Sequence, residues 1–235
     1  MSTRQDVRNG QEAFYFDKGL VYSETLGWID LGHARGNDIE NLLNKMDKGE
    51  RSPQENCTVT YAQTMYKFSR ECLGAGMHIR WRIKRGRTLE QRHSIALAMM
   101  MTTAVKFEAM QASPPFNWFI DSGFSAEDLV SDLLGFYRVV RPMNYFPWLQ
   151  LVSKPEALRR WDHYGPVGQY KNKLFKPLLF PDPAKNPHAM LGYGALPKFM
   201  MEIEPFSNFN SDMVKVVTNN GAHANIFTHP NAEFE

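Results

Sequence analysis

With 235 residues, 43% of them hydrophobic and 22% charged, the chain is long enough to bury a full core and too apolar to be disordered or fibrous. Its 27 Lys and Arg against 25 Asp and Glu leave a formal charge of +2, which excludes a global field built for nucleic acid. Two cysteines, Cys57 and Cys72, are too few and too widely spaced for a disulfide framework or a zinc ribbon.

The first ten residues are polar, and no apolar run reaches the roughly 18 to 20 residues that a membrane helix needs. The expectation is a chain made in the cytoplasm without a signal peptide. The segment Gly27 to Ala34 alternates Trp28, Asp30 and Gly32 with Ile29, Leu31 and His33, the period of a short strand with His33 near its end. Asn37 to Lys48 carries Ile39, Leu42, Leu43 and Met46 at helical spacing, and the polar run Asp47 to Asn56 reads as a loop.

Thr58 to Phe68 and Met77 to Lys84 have strand composition, and Gly74-Ala-Gly76 between them predicts an antiparallel hairpin with a loose turn. The second strand places Arg80, Arg82 and Lys84 on one face and Ile79, Trp81 and Ile83 on the other. That basic row is either a solvated face or a surface for an anionic polymer. Thr88-Leu-Glu-Gln91 is a capping box that opens a long helix to about Ala112, apolar nearly all round between Ile95 and Val105 and so expected to be central and buried.

Pro114 and Pro115 end that helix, Asn117 to Asp121 reads as a short strand, and Ser125-Ala-Glu-Asp128 starts another helix with a buried stripe of Leu129, Leu133, Phe136, Tyr137 and Val140. From Arg141 the texture changes. Ten prolines lie between Pro142 and Pro205, with a short helix expected at Glu156 to Asp162 and a strand at Lys198 to Glu204. The predicted architecture is a single α+β domain over residues 1–235. A small antiparallel sheet packs on a buried central helix in a core of about 14–140, and a Pro-rich, aromatic segment of about 141–235 wraps it.

Three residues stand out for chemistry. Glu108 lies in line with Ala104, Met101 and Leu97 on the long helix, where desolvation would raise a carboxyl pKa; the bland alternative is a helix-end carboxylate turned toward Lys106 or solvent. His33, flanked by Gly32 and Ala34, is the candidate general base, with a satisfied core histidine as its alternative. Ser125 sits at a helix start, where nucleophiles and oxyanion sites are built, although a plain capping box with Asp128 accounts for it equally well. Ser122 has a looser claim of the same kind. Cys57 and Cys72 read as structural. The remaining histidines show no ligand spacing, and neither a P-loop nor a dinucleotide fingerprint is present, so neither a metal nor a common cofactor is expected.

The succession Gly27-Trp-Ile-Asp-Leu-Gly-His33, Lys106-Phe-Glu-Ala-Met110 and Ser122-Gly-Phe-Ser-Ala-Glu-Asp-Leu-Val-Ser-Asp-Leu-Leu-Gly135 resembles a bacterial domain family of unknown function over roughly residues 14 to 140. It is also faintly similar to type VI secretion effectors of the TseH kind, cell-wall hydrolases related to NlpC-type papain-like peptidases. The resemblance implies a papain-like, permuted fold in which the His strand precedes the nucleophile, the order of His33 and Ser125. The chain departs from it in carrying Ser125 where that family uses Cys. The implied function is an antibacterial peptidoglycan peptidase or amidase, exported by a secretion machine to the periplasm of a target cell and paired with an immunity protein. In it His33 is the base, Ser125 the nucleophile or oxyanion residue and Glu108 the orienting acid. Ser122, Cys57, Cys72 and a metal-bound water stay open as the attacking group. Two rivals stand beside it: a non-enzymatic binding protein using the aromatic segment beyond Arg141, and a metal-dependent hydrolase with His33 and Glu108 as ligands.

Overall fold

The computed structural model describes residues 2–67, 72–114 and 123–227, and within them the chain is α+β, with four α-helices and three small antiparallel sheets. It divides into two compact units, each discontinuous in sequence: Met1–Glu40 with Gln111–Glu204, and Asn41–Met110 with Pro205–Glu235. That division cuts across the boundary near residue 140 drawn from composition.

The first unit is organised on a hairpin of β1 (Leu20–Ser23) and β2 (Gly27–Asp30), with Leu20 opposite Asp30 and Tyr22 opposite Trp28. Ser23 closes the turn, because its hydroxyl accepts the Thr25 and Leu26 N–H groups and donates to the Leu149 carbonyl. Gly27 is required at φ +72°, since a Cβ there would lie 2.2 Å from the Leu178 carbonyl oxygen. Strand β2 is shorter than its alternation suggests. It ends at Asp30, and His33 opens a 3-10 turn, His33–Arg35, instead of ending the strand. The cause is Asp30, whose Oδ1 accepts the Gly32 and His33 N–H groups at 2.7 and 3.3 Å and turns the chain away from the ladder.

Helix α3 (Asp128–Val140) buries every residue from Leu129 to Tyr137, a wider face than the expected stripe, while Val140 is only half-buried. Helix α4 (Lys154–Tyr164) runs two residues beyond the expected Glu156 to Asp162 at each end; Ser153 and Glu156 form a capping box with Pro155 in the first turn. It brings Trp161 edge-on to Trp28 at 5.8 Å, in a core cluster with Tyr22, Val7, Ala126, Val152 and Phe180. Arg160, 1% exposed, ties this cluster together: its guanidinium lies 4.3 Å over the Tyr22 ring, donates to the Phe180 carbonyl and pairs with Glu24. Two short strands, β5 (Leu178–Leu179) and β6 (Gly192–Tyr193), complete the unit. Lys198–Met200 is a 3-10 turn, so the strand expected at Lys198 to Glu204 does not form. Pro197 and Pro205 bracket it, and neither can donate to a ladder.

In the second unit α1 (Asn37–Arg51, of which residues from Asn41 belong here) runs one turn into the predicted loop. Strands β3 (Asn56–Lys67) and β4 (Cys72–Lys84) form the expected hairpin, but Gly74, Ala75 and Gly76 lie inside β4, paired with Tyr66, Met65 and Thr64, and not in a turn. The connection between the two strands, residues 68–71, lies outside the described residues. Helix α2 (Leu89–Gln111) opens on the predicted box, with Gln91 N–H donating to Thr88 Oγ1 at 3.2 Å and Thr88 N–H to Gln91 Oε1 at 3.1 Å. Ile95 to Met100 are buried on all sides of it. The third strand of the sheet is β7 (Val214–Phe227), which pairs with β4 and was not legible, because Asn219-Asn220-Gly221 carries turn chemistry. Gly221 serves packing instead: the His78 ring occupies the place where its Cβ would lie. The strand expected at Asn117 to Asp121 falls outside the described residues. No described helix is long and apolar enough to cross a membrane.

Candidate functional site

The turn at His33 is pressed onto α3 by two glycines. A Cβ on Gly135 would lie 2.6 Å from the His33 carbonyl oxygen, and one on Gly36, at φ +72°, would lie 2.4 Å from the Gly135 carbonyl. Close backbone approach of this kind is open only to glycine. It sets His33 beside the first turns of α3, where Asp132 Oδ1 stands 2.8 Å from His33 Nδ1. Asp132 is 9% exposed at its side chain and His33 39%, so a buried carboxylate holds an imidazole that reaches solvent.

The electrostatics follow from that placement. Loss of water around the ring works against its charging, but Asp132, with Asp128 and Asp30 behind it, outweighs this and holds the His33 pKa well above the ordinary imidazole value. Nδ1 is committed to Asp132, which leaves Nε2 as the nitrogen available for chemistry.

A second polar pair lies just before α3. The Ser125 hydroxyl donates to Glu127 Oε2, and Glu127 Oε1 accepts from Ser2 at 3.4 Å. Burial pushes the Glu127 carboxyl pKa up, against the Ser125 hydrogen bond, and the nearby Asp30 charge adds to the rise. Ser131 links the two pairs: its hydroxyl donates to the Glu127 carbonyl at 2.6 Å and accepts the Asp30 N–H at 2.9 Å. The segment is fixed from the other side by Asn172, whose N–H donates to the Phe124 carbonyl at 2.8 Å and whose amide donates to the Ala126 carbonyl at 3.3 Å.

Of the predicted site residues, His33 and Ser125 belong to this unit, and Glu108 does not. Glu108 lies near the end of α2 in the second unit, buried at 4% exposure, and the carboxylate that meets the imidazole is Asp132. Ser125 forms half of the expected box, its N–H donating to Asp128 Oδ2 at 3.0 Å, but its hydroxyl goes to Glu127 and the serine is only 4% exposed. Cys57 lies on β3 with its thiol pKa raised by burial, the reverse of an activated thiolate, and Cys72 opens β4; both belong to the second unit. Ser122 lies outside the described residues. No group of three His, Cys, Asp or Glu able to hold a metal occurs among the described residues.

Asp132 and Glu127 escaped the sequence reading, although one signal for Asp132 was present: it stands between Leu129, Leu133 and Phe136 on the buried face of a helix, where an acid requires a partner. No protein-family model matches the chain, and neither a characterised protein nor a solved structure is significantly similar to it.

Proposed function

We propose that the protein is a hydrolase in which His33, oriented by Asp132, is the general base. The observation that carries this reading is the 2.8 Å contact between a buried carboxylate and one nitrogen of an imidazole whose other nitrogen is free. Such a pair fixes the tautomer and stabilises the imidazolium formed when the base takes a proton. The attacking group in this reading is a water molecule at Nε2, because the Ser125 hydroxyl is buried and committed to Glu127. Ser125 and Glu127 then act as a buried proton-sharing pair that holds the start of α3.

The substrate is the peptide part of peptidoglycan, and the chain an antibacterial effector delivered by a type VI secretion machine. This part rests on the sequence resemblance, as does the papain-like arrangement, for which the chain order of His33 before the α3 start is the supporting feature. Mass analysis of purified sacculi incubated with the protein tests it. Release of muropeptide fragments should fall by roughly 10²- to 10⁴-fold in His33→Ala, the usual contribution of a positioned base. Because the carboxylates keep the proton on His33 to higher pH than usual, release should climb as pH rises through the alkaline side of the imidazole range. Absence of fragments with the wild type, or undiminished release by His33→Ala, removes the assignment.

A second reading, a binding protein using the segment beyond Arg141, is favoured by Trp148, Met190 and Tyr193, which present their side chains to solvent. It requires that trimming these residues abolish activity while His33→Ala leaves it intact.

A further inference from the structure

The second unit carries a charge segregation that the proposed hydrolysis does not use. Strands β3, β4 and β7 contain Lys67, Arg80, Arg82, Lys84 and Lys215, and no Asp or Glu, in a chain whose acids and bases otherwise nearly balance. Register puts all of them but Lys67 to one side; Lys67, opposite Leu73, falls in the register of Val59 and Tyr61. Arg82 lies opposite Thr58 on β3 and Lys215 on β7, and Arg80 opposite Thr60 and Thr218, so these residues share a face. The other face holds Val59, Tyr61, Ile79, Trp81 and Ile83, all buried, while Thr58, Arg80, Arg82, Lys84 and Lys215 are exposed. Lys84 pairs with Glu55 at 3.4 Å; Arg80, Arg82 and Lys215 have no ion-pair partner among the described residues.

We infer that this open sheet face binds a carboxylate-bearing glycan, with Arg80, Arg82 and Lys215 on the acid groups and the threonine hydroxyls on the sugar or amide groups between them. Guanidinium presents a planar fork that matches a carboxylate bidentately, and an unpaired arginine on a strand keeps that fork available. The arrangement favours a sparsely charged polymer over nucleic acid for two reasons. Arg80 to Lys84 span only about 13 Å of strand, whereas a duplex carries one charge per about 1.7 Å and runs on beyond it, in a chain whose 27 bases barely exceed its 25 acids. The exposed side chains described beside Arg80 and Arg82 on this face, Thr58, Ala62, Thr64, Lys84 and Lys215, also offer no ring on which a base could stack, and His78, which shares the face, is half-buried against Gly221.

The test is cosedimentation of the purified full chain with peptidoglycan sacculi, with a soluble polyuronic acid and a mixed-sequence oligonucleotide as competitors. The wild type should pellet with sacculi, weaken as salt rises toward 0.15 M (a Debye length of about 8 Å) and be displaced by polyuronate. Arg80→Glu with Arg82→Glu should lose roughly tenfold or more in affinity, and the milder Arg80→Gln with Arg82→Gln should lose less while melting like the wild type. Equal pelleting of all three proteins overturns the inference, and so does displacement by oligonucleotide at lower concentration than by polyuronate. The choice of sacculi as probe rests on the proposed function, but the results separate: sacculus binding without fragment release sinks the hydrolase and leaves the sheet face standing.

Discussion

Replacing Asp132 by Asn removes a charge 2.8 Å from the His33 ring without changing the shape of the side chain, so the imidazole loses its main anionic partner while Nδ1–H can still donate to an amide oxygen. At that separation two unit charges interact by about 1.5 kcal/mol in bulk-water dielectric and about 6 kcal/mol at an effective dielectric of 20. The imidazole is 39% exposed and screened, which sets the usable contribution near the lower limit, about 1 to 2 kcal/mol. The sign follows from linkage. His33 has a folded pKa above its ordinary value of 6.5, so the pair's stabilisation is fully present below that pH and is lost as pH rises through the folded value.

Asp132→Asn should therefore lose about 1 to 2 kcal/mol against wild type in urea unfolding at about pH 5.5, and the gap should shrink on the alkaline side. Following the His33 ring protons by NMR should show its titration midpoint fall in the variant, because burial then opposes charging with only Asp128 and Asp30 left against it. An unmoved midpoint, or a stability gap that widens with pH, refutes the role given to Asp132.

Gly135→Ala should cost about 1 to 3 kcal/mol and lower fragment release, since the added methyl meets the His33 carbonyl at 2.6 Å and displaces the turn from Asp132; thermal unfolding and the sacculus assay read both. Tyr22→Phe should cost about 1 to 3 kcal/mol in urea unfolding, because the phenol oxygen both donates to the Phe180 carbonyl and accepts its N–H at 2.8 Å; the carbonyl keeps Arg160, but the buried N–H is left unpaired. Burial pushes the Tyr22 phenol up to about 12, so wild-type stability should decline as pH rises above the ordinary tyrosine value of 10, with a shallower decline in the phenylalanine variant. Ser125→Ala should keep release within about tenfold of wild type, whereas a loss of the roughly 10⁴-fold or more expected of a nucleophile would make the serine the attacking group.

What the sequence determined by itself is local. The periodicity of Ile39 to Met46, the Thr88 and Gln91 box with the apolar run of α2, and the alternation from Ile79 to Lys84 set three elements and the basic row, because each depends on residues within a turn or two of one another. The α+β class followed from them. Tertiary structure alone decided the site. Asp132 meets His33 across 99 residues because Gly36 and Gly135 let two backbones touch, and nothing in the spacing of either motif encodes that approach. The same holds for the Ser125 hydroxyl, which could cap a helix or serve an imidazole and instead found Glu127, and for β7, whose Asn-Asn-Gly reads as a turn until β4 supplies a ladder and His78 covers Gly221. Glu108, an acid on an apolar stripe, had the strongest local signature of the three site candidates, yet it folded into the other unit. Local pattern shows that an acid is buried; which partner it meets depends on long-range packing that pattern does not contain.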